Sequence, residues 1–174
     1  MASIAIVLGS VRPGRAGEQV VRWIEDQARQ LDGVQTVFFD LRDYELPLFA
    51  EEMSPSMKAP ELAEAVRLRA NLDANDAVLF VTPEYNHSVS GALKNAIDYL
   101  PPATLKEKAV GLVGYSWYGA VKPLEHLREI IATFGADVRE QQVGINLGSD
   151  FQDGVFTPSE ELNGQIRELL ASLV

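Results

Sequence analysis

The succession of apolar runs along the chain predicts an α/β fold on a doubly wound, parallel sheet. Three observations carry that expectation. Five short apolar runs alternate with amphipathic segments of helical period. Runs such as Ala77–Val81 are continuously apolar rather than alternating, as strands covered on both faces require. The runs also end in loops carrying Gly, Arg, Tyr, Asn and Ser, where open parallel sheets place their ligands.

In chain order, the first strand is Ile4–Leu8, followed by a glycine-bearing turn and a helix over Glu18–Gln30. Thr36–Asp40 is the second strand and completes a βαβ opening. A long connection from Leu41 to Pro60, punctuated by Pro47 and Pro55, leads to a helix over Glu61–Asn71. Ala77–Val81 is the third strand. Gly91 then opens a helix to Leu100 with apolar positions at Leu93, Ala96, Ile97 and Leu100. Ala109–Tyr115 is the fourth strand, Val121–Phe134 a helix and Asp137–Val143 the fifth strand. Ser159–Leu173 closes the chain as a helix with Glu161 in its first turn.

No repeat, low-complexity tract or linker interrupts this alternation. With 174 residues and 47% hydrophobic content, the chain is expected to form a single domain spanning 1–174. The expected architecture is a three-layer sandwich around a five-stranded sheet in the flavodoxin-like order 2-1-3-4-5, where strands one and three meet at the switch point. The loops Gly9–Gly17 and Thr82–Ser90 then flank one crevice, and Tyr115–Gly119 comes within reach from strand four.

The composition excludes several functions. A formal charge of −10 argues against a nucleic-acid backbone and against an anionic membrane surface as partners. The absence of cysteine removes disulfides, thiolate nucleophiles and Cys-ligated metals, and two histidines far apart offer no metal-ligand spacing. No apolar run approaches the roughly 20 residues needed to span a bilayer, and the first residues lack a charged leader, so a soluble cytoplasmic protein is expected.

The turn Gly9–Gly17 joins a strand to a helix. Its free N–H groups, the helix N-terminus and the Ser10 hydroxyl make an anion site, to which Arg12 and Arg15 add positive charge. Two solvated arginines in an ordinary turn are the alternative. Gly9 and Gly14 have P-loop spacing, but Arg15 and Ala16 follow in place of Lys-Ser/Thr, and a Gly-x-Gly-x-x-Gly fingerprint is absent. Asp40 ends strand two where a dinucleotide-binding protein places its ribose-binding acid. The preferred reading is an exposed acid closing a strand.

With Gly9, Ser10 and Arg12 after strand one, and Pro83, Glu84, Tyr85, Asn86, Ser88, Gly91, Leu93, Lys94, Asn95, Ile97 and Asp98 after strand three, the chain resembles the NADPH-dependent FMN reductase family. That resemblance implies FMN as cofactor and NADPH or NADH as co-substrate. It implies that Ser10, Arg12 and the stretch Arg15, Ala16, Gly17 and Glu18 hold the FMN phosphate. Many members of the family have Ser and Asn where this chain has Arg15 and Gly17. Pro83, Glu84, Tyr85 and Asn86 are then expected to line the isoalloxazine, with Ser116, Trp117, Tyr118 and Gly119 on its other side. The implied reaction is ping-pong: hydride passes from NAD(P)H to flavin N5, and electrons then go to free flavin, quinone or a similar small-molecule acceptor. No side chain is expected to be catalytic and no metal is expected, because the cofactor carries the chemistry. A homodimer or homotetramer is implied as well. A flavodoxin-type electron carrier and a non-catalytic FMN-binding module are the competing readings.

Other constellations lead elsewhere. Gly114–Gly119 has one residue too many for a nucleophile elbow, and His126 is the only histidine that follows it. His87 reads either as a contact for nicotinamide or acceptor, or as an exposed loop residue. Ser88, Ser90 and Gly91 are expected to keep space at an open flavin face. Glu51, Glu52, Met53 and Met57 suggest a lid or a subunit contact, and the apolar side of Ala92–Leu100 a dimer contact.

Overall fold

The computed structural model describes residues 1–174. Strands β1 (Ala2–Leu8), β2 (Val34–Asp40), β3 (Ala77–Pro83) and β4 (Ala109–Ser116) run parallel in the order β2-β1-β3-β4. Two short strands, β5 (Asp137–Val138) and β6 (Val143–Asn146), both pair with the free edge of β4. Ile4 of β1 lies opposite Thr36 on one side and Ala77 on the other, which fixes β1 and β3 as neighbours. Helices α1 (Gly17–Ala28) and α5 (Glu160–Ser172) cover one face of the sheet. Helices α2 (Ala63–Asp73), α3 (Gly91–Asp98) and α4 (Val121–Ala132) cover the other.

The period of two along each strand explains the continuous apolar runs. Ile4, Ile6 and Leu8 join Leu79, Val81 and Val113 against Trp23, Ile24, Ile166 and Leu169. The intervening Ala5, Val7, Val78, Phe80 and Leu112 face Leu68, Leu72, Leu93, Ile97 and Leu127. Each strand thus feeds two cores. The edge strands keep mixed patterns, β2 with Phe38 39% exposed and β6 with Gly144 exposed between buried Val143 and Ile145.

Three expectations are corrected, and one element is added. The fifth strand, expected over Asp137–Val143, is interrupted: the polar stretch Arg139–Gln142 turns its carbonyls away, and Arg128 Nη2 takes those of Arg139 (2.6 Å) and Glu140 (2.9 Å). An unforeseen antiparallel hairpin follows, with β7 (Phe151–Gln152) and β8 (Val155–Phe156) joined by Asp153 and Gly154, both at positive φ. Gln19 clips it to α1 through Gly154 O and Phe156 N, each at 2.8 Å. The apolar side of α3 is spent inside the protein, Leu93, Ala96 and Ile97 being at most 3% exposed, so it presents no apolar face to a partner. Finally, Ser90 is a brace rather than a spacer: its hydroxyl caps α3 at Leu93 N (3.1 Å) and donates to Gly9 O at 2.5 Å.

The connection between β2 and α2 lies along α3. Asn95 accepts from Phe49 N (2.8 Å) and donates to Pro47 O (2.8 Å), while Tyr99 donates to Pro47 O (3.1 Å). No helix is long and apolar enough to cross a membrane.

Beneath the loop after β4, a methyl group on Gly144 would meet the backbone carbonyl of Gly119, which cannot swing aside. Gly144→Ala is therefore expected to destabilise the fold by about 1–3 kcal/mol, the usual cost of overpacking, seen as a lower denaturant midpoint at unchanged slope.

Candidate functional site

Beyond the carboxyl ends of β1, β3 and β4 the loops enclose a cleft of about 420 Å³, within the size range of small-molecule sites. Ser10, Arg12, Arg15 and Ala16 form one side; Pro83, Glu84, Tyr85 and Asn86 a second; Ser116, Trp117 and Tyr118 a third. Gly17, Glu18 and Gly119 do not line it. Gly17 is buried under Tyr115 and Leu8, where a Cβ would lie 2.6 Å from each. The Glu18 carboxylate turns outward to Arg42 Nη2 at 2.6 Å, and Gly119 sits at positive φ against β6.

Helix α1 starts directly after Ala16, whose side chain cannot cap it, so the first-turn N–H groups keep no side-chain partner. Beside them Arg12 is exposed, enters no ion pair, and lies 5.8 Å over the Tyr85 ring. The other arginine behaves differently. Arg15 turns inward, where Nη1 donates to Asp40 Oδ1 at 2.8 Å, Nη2 donates to Asp40 Oδ2, and Nη1 also reaches the Ser10 carbonyl. Its guanidinium is thus already committed, and its backbone is what it offers to a ligand. Asp40 is neither an exposed strand-ending acid nor a group open to the cleft: it is buried between Arg15 and Arg42, whose Nε and Nη2 lie 3.3 and 3.2 Å from Oδ2.

The second wall is a two-residue turn. Tyr85 and Ser88 exchange backbone hydrogen bonds of 2.9 and 3.1 Å, and Asn86 and His87 between them both take positive φ, at 49° and 61°. Neither is glycine, so this geometry costs on the order of 1–2 kcal/mol per residue and is imposed by its surroundings. His87 Nδ1 stands 3.3 Å from Glu84 Oε1, while Glu84 Oε2 is buried without a partner. The Tyr85 hydroxyl meets Ser10 Oγ at 2.9 Å, joining the first wall to the second.

In the third wall Ser116 is no nucleophile. Its hydroxyl accepts from Tyr118 N (3.0 Å) and Ala120 N (2.8 Å), folding the turn that leaves Trp117 and Tyr118 67% and 78% exposed at the mouth. At the floor, the buried Tyr115 hydroxyl lies near Ser10 without a hydrogen bond of full geometry, and burial, outweighing the lowering by Ser10, pushes its pKa up to about 12, so it stays a neutral donor.

Pro13, Gly14 and Tyr115, inside the loops expected at the crevice but not singled out as cofactor contacts, also line it, as do His87 and the unforeseen Leu147. A polar-tipped aromatic ending a buried strand was the available signal for Tyr115. Leu147 carried none, since it arrives only because β6 brings its N–H to Ser116 O at 2.8 Å. The acids and methionines of 51–57 lie outside the cleft, with Met57 75% exposed.

Residues 2–150 match the family of NADPH-dependent FMN reductases. An NAD(P)H-dependent FMN reductase from a Nectria species is 34% identical over 135 residues, covering 74% of this chain and 67% of that protein. A quinone reductase from Pseudomonas putida is 41% identical over 96 residues, 55% of this chain and 48% of that protein, so this match spans about half of the relative's length. The structure superposes with a TM-score of 0.75 on a flavoenzyme NAD(P)H:(acceptor) oxidoreductase from Paracoccus denitrificans, at 24% identity over 98% of this chain and 96% of the other. That last likeness is one of fold.

Burial would raise the Asp40 pKa, but hydrogen bonds from Arg15 and from Arg42 N, with the charge of Arg15, outweigh it and hold the carboxyl below its ordinary value. Folding therefore favours the carboxylate. The stability it contributes is complete above the ordinary Asp range and drains away as pH falls through the lower folded value. Unfolding titrations from pH 6 downward should show this acid-dependent loss in the native chain and a shallower one in Asp40→Asn; equal slopes would contradict it.

Proposed function

Since the chain belongs to the NADPH-dependent FMN reductase family, we propose that it is an FMN-dependent NAD(P)H oxidoreductase acting on free flavin, quinone or a similar small acceptor. One observation carries this reading: a single cleft joins an uncapped helix start and a free arginine to a wall of strained peptide and aromatic rings. The residues present fit FMN. A phosphate needs unpaired donors, supplied by the first turn of α1 and by Arg12, and the buried Tyr115 hydroxyl at the cleft floor, which makes no hydrogen bond of full geometry, would be free to donate to a polar group of FMN.

In this reading Ser10, Arg12 and the backbone from Arg15 to Glu18 hold the phosphate. Pro83, Glu84, Tyr85 and Asn86 line the ring, and Ser116, Trp117 and Tyr118 close its other side, with Gly119 shaping the turn that carries them. Bound there, FMN supplies two-electron transfer between a reduced nicotinamide and the acceptor. The side chains do not carry that transfer; they hold, orient and polarise. With FMN bound, backbone N–H groups around Glu84–Asn86, held in place by the positive-φ turn at Asn86 and His87, would donate to the polar edge of the ring and favour negative charge there. The open mouth beside Trp117, Tyr118 and His87 lets the two substrates enter in turn.

The reading extends to the chain as one FMN-binding unit, 1–174, working in the cytoplasm as a homodimer or homotetramer. Exposed Leu48, Met53 and Met57 offer apolar surface to a second copy.

Anaerobic mixing of the FMN-loaded protein with NADPH should bleach the flavin absorbance promptly, and a quinone should restore it. Binding without bleaching would leave a carrier or a binding module, and failure to bind FMN would overturn the reading. Arg12→Ala is expected to weaken FMN binding by about 1.5–3 kcal/mol, the worth of hydrogen bonds to a charged group, in a fluorescence titration. Unchanged affinity would remove Arg12 from the phosphate site.

A further inference from the structure

Asp40 does not line the cleft, yet the loop that does is tied to it. Its carboxylate takes both arms of Arg15, the Arg15 side chain is only 2% exposed, and the same guanidinium donates to the Ser10 carbonyl. With its backbone held there, Ser10 keeps its hydroxyl 2.9 Å from that of Tyr85. On the far side Arg42 fixes Asp40 through its backbone N–H at 2.9 Å and its guanidinium, whose Nη2 also holds Glu18 at 2.6 Å. A row of alternating charges, Arg15, Asp40, Arg42 and Glu18, therefore runs from the end of β2 to the start of α1.

Resting on the functional reading above, we propose that Asp40 is a positioning residue for recognition of the cofactor phosphate. By holding Arg15 it keeps the loop Gly9–Gly17 in its anion-accepting shape before any ligand arrives. It also neutralises Arg15, so that Arg12 is the guanidinium left to meet the phosphate. Without Asp40, the buried Arg15 retains only the Ser10 carbonyl and a 3.4 Å approach to Glu18, and it must leave its site, releasing Ser10.

This assignment opposes simple electrostatics. A carboxylate near a phosphate should repel it, so removing the negative charge should tighten binding. Positioning requires the reverse. The flavin-free full chain is titrated with FMN and with riboflavin, which lacks the phosphate. Asp40→Asn is expected to lower FMN affinity about tenfold, near the worth of one charge-assisted hydrogen bond, and to change riboflavin affinity by less than about twofold. Arg15→Lys, which keeps the charge and loses the fork, is expected to show the same FMN-selective loss if Asp40→Asn folds poorly.

Equal or tighter FMN binding in both variants would overturn the proposal, and so would parallel weakening of both ligands, the mark of a merely structural role. A native chain that does not prefer FMN to riboflavin would overturn the phosphate reading itself, and the role of Asp40 with it. That failure is visible before any variant is made.

Discussion

The cleft hangs on the junction at Gly9, where the end of β1 is bonded to the segment around β3 from both sides. Gly9 N donates to Val81 O at 2.8 Å, and Gly9 O accepts from the hydroxyl of Ser90, the residue that caps α3. A Cβ at this position would lie 3.0 Å from Leu93, so only glycine lets the two loops approach this closely without displacing the helix. The parallel register of β1 with β3 brings the strands together, and this junction turns their adjacency into one surface. The tyrosine and serine that meet across the cleft follow from it.

Charge is handled locally in a chain whose formal balance is −10. An anion site on such a protein needs positive charge that its own carboxylates do not quench. Arg15, Arg29, Arg42, Arg67 and Arg139 are all drawn into ion pairs, while Arg12, on the same loop as Arg15, enters none. The difference between the two loop arginines is geometric. Arg15 lies over the end of β2 and meets Asp40, whereas Arg12 points out past Tyr85. The uncapped start of α1 adds its partial charge beside the free arginine.

Most of the fold was legible because the signals are local and periodic. A strand covered on both faces must be apolar throughout, so Ala77–Val81 announced itself, and the strand alternation carried the sheet order β2-β1-β3-β4. The break after Val138 was not legible, because it depends on Arg128 reaching from another element. The hairpin at Asp153-Gly154 did carry a turn signal, but its strands are two residues each, too short for an alternation to show. At the site, residue types were readable and side-chain directions were not. Arg15 and Glu18 were identified from the loop they occupy, yet each one's partner lies at the end of β2 or just beyond, 24 or 25 residues later. Only tertiary packing decides which of two neighbouring arginines stays free.

In the proposed reading, the crevice between the β1 and β3 loops receives a flavin phosphate at Ser10 and Arg12 and its ring against Pro83–Asn86. A crystal structure of the protein with FMN tests this most directly. The expected result places the phosphate within hydrogen-bond reach of the Ser10 hydroxyl and the first turn of α1, with Arg15 still on Asp40. Flavin bound instead in the groove of Val11, Tyr44 and Ala92 on the far side of the loop, or a phosphate held by an Arg15 released from Asp40, would contradict it.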